Sequence, residues 1–374
     1  IAVSNEGLIY LVYSGRFGDA PTHIGYVVSK DRGITWSEPF SLKSDLGESY
    51  RSPDVISDNF GNFYLSFLAY ARNGAGASIH VARAESGGAF GSPFRVTEED
   101  EVGFYRRPQL TINNASHLLV GYTTLVGGVS QLAIATSKDG EKWTNRVLTE
   151  GNTHHHNASP CAAYLTPQGY TYLTSVNQGR LTLRRSGDNG ETWEAIGVQA
   201  PAEDGKISGA PLCVASAKNV WVVYGTRKTG GLKEVRVARS ADSGASVTSW
   251  LTLSNPEESA LFAVPQLTVE APDIGHALFY AGAGPGDESA SLRRVRFTNE
   301  DLVTPPEEPP EEPELPTYIN STLVHEPLSF QLNDENDRWL GDRVGIAIDK
   351  DQLYVSYVDN ALRHAHVAFE VLTP

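Results

Sequence analysis

The sequence Ser186-Gly187-Asp188-Asn189-Gly190-Glu191-Thr192-Trp193 recurs along the chain and indicates how the chain folds. Residues 29–36 repeat its pattern, S-x-D-x-G-x-T-W, and residues 137–143 carry a copy that is one residue shorter. In this pattern Asp can accept backbone N–H groups within a turn, Gly can adopt a positive φ, and Trp can pack under a hairpin. We therefore expect the motif to be structural, with its three tryptophans largely buried.

The motif is part of a longer repeat. Less complete copies at residues 84–90 and 240–244 bring its period to about 50 residues, which is typical of propellers and related arrays. A second repeat, a short strand that opens with Pro and leads through a turn into an aromatic-rich strand, runs in phase with it. Its copies begin at Pro53, Pro108, Pro160, Pro211 and Pro265. With residues 1–42 as the first unit and 342–372 as the last, the chain is predicted to be an all-β, seven-bladed β-propeller, with six blades as the alternative.

Composition agrees with this fold and excludes some partners. Charged residues make up only 20% of the chain, which has 35 glycines and 21 prolines, as expected for short strands joined by tight turns. The net charge of −15 disfavours nucleic acid and anionic membranes as partners. No apolar run approaches the roughly 18 to 20 residues that cross a bilayer, so no membrane insertion is expected.

One segment departs from the repeats. Residues 303–317 are rich in Pro and Glu, which remove hydrogen-bond donors and repel one another, so they can form neither a ladder nor a core. We interpret them as a flexible insertion within a single domain that spans residues 1–374, after which residues 318–332 supply the outer strand of the sixth blade. A linker to a separate domain is the alternative.

The motifs at residues 29–36 and 186–193 resemble the Asp-boxes of the sialidase superfamily, and the periodicity extends this resemblance over nearly the whole chain. Residues 339–347 and 354–360 also resemble the final repeat of secreted sialidase-like bacterial proteins. The resemblance implies a propeller that is secreted, periplasmic or displayed on the cell surface.

Sialidases hold the substrate carboxylate with three arginines, the first in an F-R-I-P type motif ahead of the first Asp-box. No such motif precedes Asp31 in this chain. The nearest analogues, Tyr50-Arg51-Ser52-Pro53 and Tyr105-Arg106-Arg107-Pro108, lie one and two repeats later. The resemblance therefore implies a sialidase-like protein rather than a clear sialidase.

The residues just before each proline of the second repeat are expected to line a site, because these loops converge on the channel of a propeller. Two residues before the proline, most copies have a small residue, whereas two have Arg51 and Arg106. A guanidinium can bind a carboxylate or sulfate through two parallel hydrogen bonds. The predicted ligand-binding residues are Arg51, Arg106, Arg107, Asn157, Trp339 and Arg343. Alternatively, these arginines pair with Asp54, Glu101 or Asp342.

Candidate catalytic residues are Tyr50, Tyr105, His154, His156 and Asp342. His154 and His156 would share one side of an extended chain, where they could bind a metal together or an imidazole could act as a base, unless this is only a solvated loop. No Cys or carboxylate follows them at metal-ligand spacing, so neither a metal site nor a cofactor is predicted. Cys161 and Cys213 occupy nearly equivalent points of two repeats and are expected to be buried thiols or one disulfide.

Three functions remain open from the sequence. The first is a secreted propeller that binds a carbohydrate, in particular an acidic glycan, at the mouth of the channel. The second is a sialidase-type glycoside hydrolase, which needs a paired nucleophile and acid. The third is a polysaccharide lyase in which Arg neutralises a uronate, His is the base and Tyr the acid.

Overall fold

A computed structural model describes residues 1–15, 21–42, 46–47, 49–71, 76–98, 104–126, 128–148, 155–164, 169–177, 179–198, 206–227, 233–254, 261–270, 273–282, 291–302, 319–322, 344–350, 352–359 and 366–372. The fold is the predicted seven-bladed β-propeller of antiparallel strands. None of the described helices is long and apolar enough to cross a membrane. The chain divides into two compact units, residues 1–178 with 185–194 and residues 179–184 with 195–374. The single domain stays a prediction, and the insertion at residues 303–317 lies outside the described residues.

The first three blades each have four strands that pair in chain order. Blade 1 consists of β1 (Ala2–Val3), β2 (Ile9–Gly15), β3 (His23–Ser29) and β4 (Phe40–Ser41). Blade 2 consists of β5 (Ser49–Ser57), β6 (Phe63–Tyr70), β7 (Ala77–Ala84) and β8 (Phe94–Arg95). Blade 3 consists of β9 (Phe104–Ile112), β10 (Leu118–Val126), β11 (Val129–Ser137) and β12 (Thr144–Val147). In blade 4, β13 (His155–Tyr164) pairs with β14 (Thr171–Asn177), and β15 (Arg180–Ser186) and β16 (Glu194–Gly197) follow.

The remaining three blades belong to the second unit. Blade 5 consists of β17 (Lys206–Ser216), β18 (Asn219–Arg227), β19 (Lys233–Ser240) and β20 (Ser249–Thr252). Blade 6 consists of β21 (Leu261–Glu270), β22 (Ile274–Gly282), β23 (Ser291–Thr298), a 3₁₀ turn (Asn299–Asp301) and β24 (Ile319–Thr322). Blade 7 has β25 (Gly345–Asp349), β26 (Gln352–Asp359) and β27 (His366–Leu372) as its described strands. Because β24 pairs with β23, residues after the insertion do supply the outer strand of blade 6, as expected.

The core lies between the faces of neighbouring sheets. Tyr64 of blade 2 packs in one cluster with Tyr105 and Leu110 of blade 3, and Val223 of blade 5 packs with Phe279 of blade 6. Burying one such side chain stabilises the fold by roughly 1.5 to 3 kcal/mol. Packing of this kind holds blade 2 against blade 3 and blade 5 against blade 6.

The Asp-box is a hydrogen-bonded turn, as its residue types predict. Asp188 Oδ1 accepts the N–H of Thr192 at 2.8 Å, and Ser186 Oγ accepts the N–H of Gly190 at 2.8 Å. Burial alone would raise the pKa of Asp188, but the hydrogen bonds from Thr192 and Ser186 outweigh it and lower the pKa to about 2. The ionised carboxylate thus holds the turn closed.

Residues 240–244 form the same turn, although their sequence predicts a degraded copy. Asp242 Oδ1 accepts the N–H of Ser246 at 2.9 Å, and the hydroxyl of Ser246 donates to Asp242 Oδ2 at 2.6 Å. Ser246 therefore replaces the threonine of the motif, because the turn needs only its hydroxyl. The copy at residues 84–90 has no Asp, and there Phe90 packs edge-on against Tyr26 with ring centroids 4.9 Å apart.

The Asp-box tryptophans Trp36, Trp143 and Trp193 are not fully buried, but most of the surface of each is covered, as the sequence predicts. The indole N–H of Trp193 donates to the carbonyl of Gly190 at 3.1 Å, and that of Trp143 donates to Gly140 at 3.2 Å. Each of these two indoles is thus bonded to its own turn, and its ring packs against a cluster of buried apolar residues.

Candidate functional site

The candidate site lies at the N-terminal ends of β5 and β9, where both strands carry a β-bulge. Arg51 lies opposite Leu68 and Asp54 lies opposite Ser66, so Ser52 and Pro53 together face a single residue of β6. In β9, Arg106 lies opposite Thr123 and Gln109 lies opposite Gly121, which leaves Arg107 and Pro108 to face one residue of β10. Bulges of this kind bend a strand and redirect its side chains.

The bulge has a visible effect on side-chain direction. Tyr50 and Val55 are five residues apart, yet both pack against side chains of blade 1. Tyr105 and Leu110 have the same spacing and share one cluster. Since successive side chains of a regular strand point to opposite faces, an odd spacing on one face requires the extra residue of the bulge.

Each bulge contains a residue in the left-handed region. Ser52 has a φ of 55° and Arg107 has a φ of 45°. Both precede a proline, whose ring disfavours helical conformations of the preceding residue. Conformations of this kind cost on the order of 1 to 3 kcal/mol and persist only where the surrounding structure imposes them.

Arg51 is exposed, and its guanidinium carbon lies 5.4 Å from the centre of the Tyr70 ring. Within the part of the chain that the structure describes, no carboxylate pairs with Arg51. The carboxylate of Asp54, one alternative partner from the sequence, instead accepts the backbone N–H of Leu110 on β9 at 2.7 Å. That bond joins blade 2 to blade 3, and the Arg51 guanidinium faces only the ring of Tyr70 among the described residues.

Tyr50 and Tyr105, two of the candidate catalytic residues, are core residues. Tyr50 is 2% exposed, and its hydroxyl donates to the carbonyl of Gly47 at 3.2 Å. Tyr105 is 3% exposed and packs edge-on against Tyr122, with ring centroids 5.7 Å apart. This placement supports packing roles for both tyrosines.

The structure places the other predicted residues only in part. Arg106 occupies in β9 the point that Arg51 occupies in β5, and Arg107 is half-buried. The side chains of Arg106, His156 and Asn157 lie outside the described residues, as do His154, Trp339, Asp342 and Arg343 altogether. Their roles stay predictions from the sequence. Cys213 is buried, and the side chain of Cys161 is not among those described.

Sequence reasoning missed Tyr70 as part of the site. It is the last residue of β6, half-buried, and it pairs in register with Ala77 at the end of the sheet that carries Arg51. The sequence gives one indication of this role. Tyr70 is the last aromatic residue of the alternating strand that comes after Tyr50-Arg51 in the chain. Only the register of β5 against β6 reveals that its ring lies beneath the guanidinium.

Comparison with solved structures agrees with the fold. A protein of unknown function from Dyadobacter fermentans matches with a TM-score of 0.56 and 15% identity, over 87% of this chain and 94% of that chain. An α-L-arabinanase from Penicillium chrysogenum, complexed with arabinobiose, matches with a TM-score of 0.51 and 14% identity, over 79% and 91%. The NanB sialidase from Streptococcus pneumoniae has a TM-score of 0.48 and 13% identity, over 98% and 67%.

The fold is that of a β-propeller. At these identities the likeness concerns the fold alone. No model of a protein family matches the chain, and no curated protein matches it.

Proposed function

We propose that the protein binds an acidic glycan at the N-terminal ends of β5 and β9, with Arg51 and Arg106 as the residues that hold its anionic groups. The observation that supports this proposal is the state of Arg51, an exposed guanidinium over the ring of Tyr70 with no carboxylate partner among the described residues. In a chain with a net charge of −15, such a cation offers a local site for an anion.

The chemistry of this pair suits an acidic sugar. The planar guanidinium can donate two parallel hydrogen bonds to a carboxylate or sulfate, and a partner of this kind contributes more than a neutral donor. Tyr70 fixes the guanidinium by a cation–π contact, which limits the side-chain entropy lost on binding. Arg106 lies at the equivalent point of the next blade, so a glycan that carries two anionic groups could engage both blades.

The comparisons add support at the level of substrate class. The arabinanase of similar fold was solved with arabinobiose, a neutral sugar. We therefore base the carbohydrate part of the proposal on fold analogy and the acidic part on the arginines. Binding to such a glycan fits a secreted or surface location, which we propose with it.

The proposal is tested by titration calorimetry with three acidic glycans, 3′-sialyllactose, oligogalacturonate and a chondroitin sulfate disaccharide, and with neutral arabinobiose. We expect at least one acidic glycan to bind, and Arg51→Ala to weaken binding by about 2 kcal/mol, or about 30-fold. Because Arg51 is exposed, its loss should change the free energy of unfolding by less than about 1 kcal/mol.

Arg83→Ala is the matched control. Arg83 is also exposed and also lies over a tyrosine, Tyr64 at 6.0 Å, but at the opposite end of the same sheet. It should leave glycan binding unchanged. If Arg51→Ala lowers the melting temperature and leaves binding intact, or if no acidic glycan binds the parent protein, the proposed function is wrong.

The same glycans separate a binder from an enzyme. Ultraviolet absorbance from unsaturated uronates would indicate a lyase, and new reducing ends without that absorbance would indicate a hydrolase. A protein that binds without either product is a binding propeller. His154→Ala and His156→Ala would then show whether a histidine is needed for any turnover observed.

A further inference from the structure

We propose that the bulge residues Ser52 and Arg107 are positioning residues for the glycan site, acting through the left-handed conformation of their backbone. This inference rests on the proposed function, because it concerns how Arg51 and Arg106 are held. It assigns to Ser52 a role that does not depend on its hydroxyl.

The distribution of left-handed residues supports this role. The described residues include eight with a positive φ that are not glycine. Three of them, Arg32, Asn189 and Ser243, occupy the same position of Asp-box turns. Three others, Ser116, Ala217 and Lys350, lie in hairpins between strands. Ser52 and Arg107 are the two that lie within strands. A turn needs a left-handed residue to reverse the chain, whereas the left-handed residues of these two strands belong to the bulges beside Arg51 and Arg106.

The location of the two residues indicates that purpose. Each directly follows one of the two arginines that replace small residues in the repeat, and each precedes a proline. Proline fixes its own φ and cannot donate to the ladder, so it keeps the bulge from closing into regular pairing. Beyond the Ser52 bulge, Asp54 is clamped to the N–H of Leu110 at 2.7 Å. The bulge in β5 is thus held on its downstream side by the neighbouring blade, and its added twist sets the direction of Arg51.

The bulge recurs in other blades of the propeller. Other blades also have register shifts near the same proline, between Ser208 and Leu212 and between Ala263 and Gln266. The bulge is therefore part of the propeller repeat, and arginine is what blades 2 and 3 add to it. We infer that a structural bulge aims a functional side chain in these two blades.

Substitutions at Ser52 test the role of the conformation directly. Glycine and asparagine tolerate a positive φ, whereas a β-branched residue does not. We expect Ser52→Gly and Ser52→Asn to bind 3′-sialyllactose, oligogalacturonate or the chondroitin sulfate disaccharide, whichever binds the parent, with nearly parental affinity. Ser52→Val should weaken that binding by about tenfold or more, because a small displacement of a binding group has a large effect.

Ser116→Val is the control, since Ser116 has a φ of 59° in the hairpin at the other end of blade 3. It should lower the melting temperature as Ser52→Val does and leave glycan affinity unchanged. If Ser52→Gly loses affinity as Ser52→Val does, the hydroxyl rather than the conformation matters, and the inference is overturned.

Parental affinity in Ser52→Val would also overturn it. Parental glycan affinity in Arg51→Ala would instead contradict the proposed function itself. The two failures are therefore distinguishable in one set of titrations.

Discussion

Acid should destabilise the protein through the buried imidazole of His80. His80 lies on β7, 2% exposed, with its ring stacked on Phe67 at 5.8 Å and its Nε2 at 2.8 Å from the hydroxyl of Ser78. Burial, with a smaller contribution from the positive charge of Arg95, lowers the pKa of His80 to about 4. The folded protein therefore keeps this imidazole neutral at pH values where an unfolded chain would protonate it.

The size of the effect follows from the two pKa values. An ordinary histidine has a pKa of 6.5, so the drop to about 4 corresponds to about 3 kcal/mol. As the pH falls below 6.5, the His80 side chain becomes protonated in the unfolded chain, whereas in the folded protein it stays neutral until the pH reaches about 4. His80 should therefore make the free energy of unfolding decrease between about pH 6.5 and pH 4, and add no further decrease below that.

Urea unfolding of the parent and of His80→Gln at pH 7 and pH 4.5 measures this contribution. Glutamine cannot titrate, so the variant should lose about 2 to 3 kcal/mol less than the parent between the two pH values. Equal pH dependence in the parent and in His80→Gln would refute the assignment, because other titrating groups are common to both proteins.

Three further predictions follow from particular contacts. Trp193→Ala should lower the free energy of unfolding by about 1 to 3 kcal/mol in a thermal melt, below the usual cost of a fully buried aromatic, because the indole is half-buried. Ser246→Ala should cost about 1 kcal/mol in the same assay, because it removes a donor to Asp242; an unchanged melting temperature would show that the hydroxyl is not needed. Deleting residues 304–316 should leave both the melting temperature and the affinity for the acidic glycans unchanged, and loss of either would contradict the insertion.

The fold was predictable because its repeats are built from local chemistry. The turn at Asp188 depends on residues within eight positions of one another, so its sequence alone specifies the hydrogen bonds. The turn depends on the hydroxyl rather than on a particular residue type, since Ser246 donates to Asp242 where the full motif has threonine.

The bulges were also present in the sequence, although the repeat analysis did not identify them. Tyr50 and Val55 are both apolar residues of one short strand, and their odd spacing cannot fit a regular alternation with one buried face. The same spacing of Tyr105 and Leu110 in the next repeat makes the signal stronger. A test for odd spacing around a recurring proline would have predicted both bulges.

The partners of the site residues were less predictable, because they come from distant parts of the chain. The sequence left open whether Asp54 pairs with Arg51, three residues away. The structure bonds it to the N–H of Leu110, 56 residues along the chain, which only the packing of one blade on the next can bring close. Comparison of the repeats identifies Arg51 and Arg106 as candidate site residues. Tyr70 can be identified only from the pairing register of β5 with β6.

Arg51 and Arg83, the two exposed arginines among the described residues of blade 2, show why contacts rather than residue type indicate function. Arg83 lies over a tyrosine and also donates to Asn62 at 3.1 Å. Asn62 is in turn bonded to Asp58 at 2.7 Å, which closes a structural network around the hairpin. Arg51 has an equivalent ring beneath it but no such network among the described residues. An exposed guanidinium that contacts an aromatic ring keeps its N–H donors for a ligand, which is why we propose the anion site at Arg51 and use Arg83 as its control.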